Sequence, residues 1–418
     1  MSSNPLVHPV DHHLFVEDVS LTRIAAEFGT PCYVYSKAAL TRAYVDFATA
    51  FSSRNTLVCY AAKANSNLAI LGLFAKLGAG FDIVSGGELL RVIAAGGDPR
   101  KVVFSGVGKR AEEMQAALKH DILSFNVESE PELLRLADVA RSMGKRAPVS
   151  IRVNPDVDPK THPYIATGLK ENKFGVAFED APALYRKAKL LDSIEIVGID
   201  CHIGSQITEI APFADALQKV LQLVDQLERE NIALHHIDLG GGVGIRYKDE
   251  QPIALEQYAA ALTAGLAGRN HQLIFEPGRY LVGNAGLLLS RVEYIKQGGD
   301  KRFAIIDAAM NDLIRPALYD AYHEAVVVAP RIGTPTELFD IVGPVCESGD
   351  FLARGRTLAL EPGDLIALLS AGAYGSVMSS NYNSRPRPAE IMVDGAACHL
   401  IRARESIEDQ YAHEKLLP

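Results

Sequence analysis

From about residue 56 to residue 280 the chain repeats one pattern: a short apolar or β-branched run, then a segment whose apolar positions recur every three or four residues. The apolar runs are LVCYAA (57–62), FDIV (81–84), KVVFS (101–105), ILSFNV (122–127), VSIRVN (149–154), IEIVGIDC (194–201), HIDL (236–239) and LIF (273–275). Between them, segments such as ELLRVIAA, AEEMQAALKH, PELLRLADVARSM and FADALQKVLQLVDQLE carry the helical period. Eight strands alternating with helices fit either a closed (β/α)8 barrel or an open doubly wound sheet. The polar residues separate the two. Nearly every strand runs into a polar or glycine-rich signature (KANSN, SGGE, SGVGK, HIGSQ, GGGVG, EPGR), and only a closed barrel gathers all eight strand ends on one rim. An α/β fold with a TIM-type barrel over 37–281 is expected.

Beyond Arg279 the rhythm changes. Runs rich in Val, Ile and Leu (LLLSRVEYI, RFAIID, EAVVVAP, TELFDIVG, DLIALLS, AEIMVDGA, ACHLIR) alternate with Gly and Pro turns, which predicts a C-terminal antiparallel β-barrel or sandwich. The early run PCYVYS (31–36) has the same character, so residues 1–36 are grouped with 282–418 as the second domain.

Composition narrows the function classes. Of 418 residues, 48% are hydrophobic and 22% charged, enough apolar material for a sizeable core. The net charge of -9 is spread evenly and leaves no basic stripe, which excludes nucleic acid and anionic membranes as expected partners. Leu365 to Ser384 is uncharged but too rich in Ser, Gly and Asn to span a bilayer. The start lacks the basic and apolar regions of a signal peptide. Five scattered cysteines without a CxxC spacing argue against a disulfide framework or thiolate metal site and favour a reducing cytoplasm. His8, His12 and His13 read as surface histidines, and no metal site is expected.

Chemistry concentrates at the strand ends. Lys63, closing CYAAKANSN, should sit at the barrel mouth, where partial desolvation favours the neutral amine that condenses with an aldehyde. Alone it is an ordinary strand-end lysine. Gly240, Gly241 and Gly242 follow the seventh strand and let backbone N–H groups approach an anion, although their spacing fails GxGxxG. FEPGRY (275–280) follows the eighth strand, where phosphate cups of such barrels form. Glu276 there could keep a pyridine nitrogen protonated, or equally form a structural salt bridge to an arginine. In HIGSQ, His202 could lie on an aromatic cofactor, or be a satisfied structural histidine, and Ser205 could donate to a phosphate. Cys32, Cys59 and Cys201 read as apolar filler, whereas Cys346 lies beside Glu347 in the polar turn GPVCESGD, where a thiol can exchange protons. Arg315 and Tyr319, four apart, share a face if their segment is a helical turn, and suit a carboxylate. Tyr374 lies between small residues in a loop able to close over a ligand.

Together YAAKAN, HIGSQ, LGGGVG, EPGR, MNDLIRPALYDAYH, GPVCESGD and AYGSVMSSNYNSRPRPAE resemble, in order and over nearly the full chain, the alanine-racemase-like (fold-type III) pyridoxal-phosphate decarboxylases. The resemblance implies pyridoxal 5'-phosphate held covalently by Lys63, with His202 stacked on its ring and Glu276 at its pyridine nitrogen. It implies that the Gly240–Gly242 loop, Ser205, the loop Glu276, Pro277, Gly278 and Arg279, and Tyr374 hold the phosphate. Arg279, Arg315 and Tyr319 would grip a distal carboxylate of the substrate, Glu347 its distal amine, and Tyr374 would border the same pocket. Cys346 would return a proton to the decarboxylated carbon. The site would be shared across a homodimer, with Cys346 and Glu347 reaching over from the partner. The implied substrate is meso-2,6-diaminopimelate, yielding L-lysine in the last step of lysine synthesis. A carboxylate at the ring nitrogen strengthens electron withdrawal, which favours decarboxylation over racemisation. The rivals are a sibling decarboxylase of ornithine, lysine, arginine or carboxynorspermidine, and a catalytically inactive regulatory relative. A sibling that takes a simple diamino acid would place Arg315 against a cation, and intact Lys63, Glu276 and Cys346 speak against the inactive relative.

Overall fold

The computed structural model describes residues 4–158 and 173–418. It divides into two compact units, one of residues 43–245 with 251–280, the other of residues 1–42, 246–250 and 281–418.

The first unit is the expected barrel. Its strands are β1 (Thr56–Ala61), β2 (Gly80–Ile83), β3 (Val102–Phe104), β4 (Ser124–Val127), β5 (Ala147–Asn154), β6 (Ile194–Asp200), β7 (His236–Asp238) and β8 (Gln272–Phe275). Each pairs parallel with its successor, and β8 pairs parallel with β1 through Ile274 and Leu57, closing the ring. Cys59, Val103 and Ile274, backed by Leu57 and Leu123, form an apolar cluster of strand residues. Helices start where the sequence supplies caps. Ser85 accepts from Glu88 N while Glu88 accepts from Val84 N, and Ser129 with Glu132 repeats the device toward Glu128 N. Outside β8, Phe47, Phe51 and Tyr258 pack on Phe275, with Phe51 and Phe275 centroids 4.3 Å apart. Each such buried ring contributes about 1.5–3 kcal/mol.

The second unit is built on a sheet whose long strand Gly286–Gly298 pairs antiparallel with Lys301–Ile306, Leu365–Leu368 and Cys32–Ser36. PCYVYS therefore does join the late strands. Two pairings depart from the antiparallel expectation: Lys301–Ile306 with Glu337–Val342, and Cys32–Ser36 with Ala389–Asp394, are parallel. Parallel neighbours need long connections, and both pairs have them, which short-range turn signals cannot announce. The strand Phe351–Leu358 and an N-terminal ribbon of Val7–Val10, His13–Val16 and Val19–Ser20 were not expected. His8, His12 and His13 are exposed on or beside that ribbon. The unit's core runs through Val16, Ile24, Val34, Leu287, Leu289, Leu369 and Ile391. Among the described residues no helix is long and apolar enough to cross a membrane.

Candidate active site

β1 ends at Ala61, and the following turn of 3-10 helix, Ala62–Ala64, sets Lys63 on the rim of the barrel. Register places Ala61 beside Asp82 of β2, so the lysine leaves its strand next to an inward carboxylate. Lys63 Nζ donates to Asp82 Oδ2 at 2.6 Å; Asp82 is fully buried, whereas the lysine side chain is 35% exposed. Nearby, burial pushes the Glu88 carboxyl up to about 6.

Beside this pair lies a layer of buried acids set by strand register. Asp200 sits across from Arg152 on one side and Asp238 on the other. Carboxylate oxygens of Asp200, Asp238 and Glu276 lie within 4.8 Å of one another, close enough to share protons or a cation. Burial, followed by Arg152 opposing it, moves Asp200 up to about 7. Glu276 is raised further by burial and then by Asp238, Asp82 and Asp200; Asp238 is raised by burial and then by Asp200. Burial and mutual repulsion thus both oppose full ionisation of the layer. Glu276 Oε1 accepts from Asn126 Nδ2 at 3.3 Å and Ser105 Oγ at 3.4 Å. Arg152 bonds Glu128 at 3.3 Å and approaches Asp200 at 3.8 Å.

The glycine loop is packed too tightly for side chains. A Cβ at Gly241 would lie 2.2 Å from the Glu276 carbonyl oxygen, one at Gly240 2.7 Å from His202 Nδ1, and one at Gly242 2.5 Å from the Gly204 oxygen. Gly240 and Gly242 also have φ of +63° and +113°. Gly241 N–H donates to His202 Nδ1 at 3.1 Å, so that nitrogen accepts and the ring proton sits on Nε2. Burial, then Arg152 and Lys63, hold this imidazole well below its usual basicity, so it is neutral. Ser205 Oγ accepts from Arg279 Nη2 at 3.2 Å. Pro277 and Gly278 fill the corner between Glu276 and Arg279, where Gly278 leaves room for Ala61 and Ala64. The structure thus brings together Lys63, His202, Ser205, Gly240–Gly242 and Glu276–Arg279 on one rim.

The remaining expected residues lie in the second unit. Arg315 and Tyr319 bracket the helical turn Arg315–Tyr319, with Pro316 in its first turn and the guanidinium carbon 6.0 Å from the Tyr319 ring. Cys346 and Glu347 are exposed. Asp350 folds their turn by accepting from Val345 N and Met310 N, Asn383 Oδ1 accepts from Cys346 N, and Tyr382 OH donates to Glu347 at 2.6 Å. Tyr374 adopts φ +55°, a left-handed conformation uncommon for a bulky residue and often met at ligand sites. Cys32, Cys59 and Cys201 are buried as expected, and burial pushes the Cys32 thiol up to about 12.

Residues 37–283 match the family model "Pyridoxal-dependent decarboxylase, pyridoxal binding domain". The diaminopimelate decarboxylase of Pseudomonas aeruginosa is 58% identical over 98% of both chains. The diaminopimelate decarboxylase of M. jannaschii, solved in co-complex with L-lysine, superposes with a TM-score of 0.95 at 39% identity, covering 100% of this chain and 99% of that one. That of Helicobacter pylori, complexed with L-lysine, gives 0.91 at 44% identity over 94% and 98%. The chain belongs to the diaminopimelate decarboxylase family. It is a pyridoxal-phosphate-dependent decarboxylase. The rim suits that cofactor on its own evidence: a glycine turn with no room for side chains, and a buried acid in Glu276 able to face a ring nitrogen.

Asp82, Asp200, Asp238 and Arg152 were missed as site residues. Their signal was present, since each is a charge within a barrel strand, and a charge buried there must find a partner.

Proposed function

We propose that the enzyme decarboxylates meso-2,6-diaminopimelate to L-lysine, the closing step of lysine synthesis. The observation that carries the substrate choice is Arg315, a guanidinium only 6% exposed and flanked by aromatic rings, a fixed cation suited to a carboxylate far from the reacting carbon. An α-amino acid whose far end bore only an amine would meet repulsion there. Arg279 and Tyr319 complete the grip, and Glu347 meets the distal amine.

Lys63 would hold the cofactor, with Asp82 keeping its amine placed on the rim. The Gly240–Gly242 loop, Ser205, Pro277, Gly278, Arg279 and Tyr374 would hold the phosphate, the neutral ring of His202 would lie on the cofactor's face, and Glu276 would share its proton with the pyridine nitrogen. When bound, pyridoxal phosphate supplies an electron sink for the pair left by departing carbon dioxide. Cys346 Sγ then delivers the proton that replaces the carboxylate on the α-carbon. The active enzyme is a homodimer in which Cys346 and Glu347, exposed within their own chain, serve the partner's site. The reaction runs in the cytoplasm, where the five free cysteines remain reduced.

Carbon dioxide release tests this directly. Turnover of meso-diaminopimelate should exceed that of L-ornithine and L-lysine by at least about a hundredfold, the discrimination expected when a buried charge loses its partner. Preference for either diamino acid would overturn the assignment. Borohydride reduction and peptide mapping should find the cofactor on Lys63, and its absence there would favour a binding protein.

A further inference from the structure

His323 closes the segment that carries Arg315 and Tyr319, and neither the sequence reading nor the catalytic scheme gives it a role. It is fully buried. Its Nδ1 lies 2.9 Å from the Leu369 carbonyl oxygen, which can only accept, so Nδ1 carries the ring proton. Nε2 therefore presents a lone pair, and Arg315 Nε–H, which can only donate, meets it at 3.4 Å. A relay of two hydrogen bonds runs from the backbone at Leu369, through one tautomer of the imidazole, to one edge of the guanidinium. Its anchor is firm: Leu369 N donates to the Glu324 oxygen at 2.8 Å, and Arg356 Nη2 donates to the carbonyl of His323 itself at 3.2 Å.

Two ring contacts on Arg315 differ in kind from this bond. Its guanidinium carbon lies 5.1 Å from the ring centroid of Tyr247 and 6.0 Å from that of Tyr319. Tyr247 is braced in turn by His323, edge-on at 83° with centroids 5.6 Å apart. Rings beside a planar cation restrain the plane but allow rotation within it. A hydrogen bond to Nε removes that rotation. Bidentate recognition of a carboxylate needs both, because the two N–H vectors must match two oxygens at once.

We propose that His323 is a positioning residue for substrate selection, fixing the in-plane orientation of Arg315 so that its fork meets the distal carboxylate. The inference rests on the assignment of Arg315 to that carboxylate, and the two can be tested apart. Asparagine at this position retains a donor for Leu369 but no acceptor at Nε2, whereas glutamine places an amide oxygen where Nε2 stood. In the holoenzyme, His323→Asn should raise KM for meso-diaminopimelate about tenfold with kcat within about twofold, and weaken L-lysine binding, measured by calorimetry, by a similar factor. His323→Gln should restore both to within about threefold. Arg315→Gln is the control for the underlying assignment. If Arg315→Gln raises KM while His323→Asn leaves it unchanged, the positioning role is overturned and the substrate assignment stands. If Arg315→Gln itself leaves KM unchanged, the assignment falls and the inference with it. Equal losses of kcat and melting temperature in both His323 variants would mark the residue as structural and also overturn the proposal.

Discussion

Lys63 and Cys346, the two side chains proposed to react, are both set just beyond a strand, and their surroundings are opposite. The lysine contacts a fully buried aspartate, with further acids, a neutral histidine and a tight glycine loop on the same rim. The cysteine is exposed, and what is organised around it is backbone, held by Asp350 and Asn383, with Glu347 beside it equally exposed. The first arrangement is electrostatic preorganisation completed within one unit. The second presents side chains outward from a rigid turn, as suits groups that act on a surface supplied by another copy. In the proposed homodimer, one chain would divide its chemistry between a site it builds and a tool it lends.

The largest effect should come from the built site. Lys63→Ala should lower carbon dioxide release by about ten thousandfold or more and abolish borohydride trapping, with circular dichroism unchanged; residual trapping elsewhere would break the contrast at its root. Cys346→Ala should cost about a hundred- to ten-thousandfold in kcat, yet leave the melting temperature unmoved, because an exposed side chain carries little packing. A large loss of stability would show that the turn is packed after all. Gly241→Ala should do the reverse, destabilising by about 3 kcal/mol and lowering bound cofactor absorbance, since its Cβ meets a backbone oxygen at 2.2 Å.

Smaller effects sharpen the comparison. Asp200 in the folded chain keeps its proton up to about 7, whereas in the unfolded chain it loses it near about 4. Its folded pKa is raised, so its stabilising contribution is complete below about 4 and disappears as pH climbs toward 7. The apoenzyme of Asp200→Asn should therefore show a flatter fall in melting temperature across that window than the parent; an unchanged slope would remove the acid layer from the account. Tyr382→Phe, which deletes only the exposed bond to Glu347, should change kcat/KM by no more than about fivefold.

The sequence disclosed most where structure and chemistry coincide. All eight barrel strands were legible as apolar runs alternating with helical periods, and the lysine, glycine and EPGR segments stood out as polar ends of such runs. Phe351–Leu358 was not legible, since Arg354, Gly355, Arg356 and Thr357 break the apolar run that marks a strand. The N-terminal ribbon was hidden by His8, Pro9 and His13 on its wet face. Asp82, Asp200 and Asp238 escaped for a different reason: a carboxylate in a strand looks incidental until register sets it beside its neighbours. Their meaning is collective, and a linear reading weighs residues one at a time.

Cys32–Ser36 lies between Gly286–Gly298 and Ala389–Asp394, strands drawn from the far end of the chain. During synthesis those early residues emerge long before either neighbour exists, so the second unit cannot assemble from its own beginning while the ribosome is still at work. Truncation before Ala389 would leave a buried N-terminal strand with an open edge. Synthesis through Ala389–Asp394 is thus a precondition for closing that edge of the sheet.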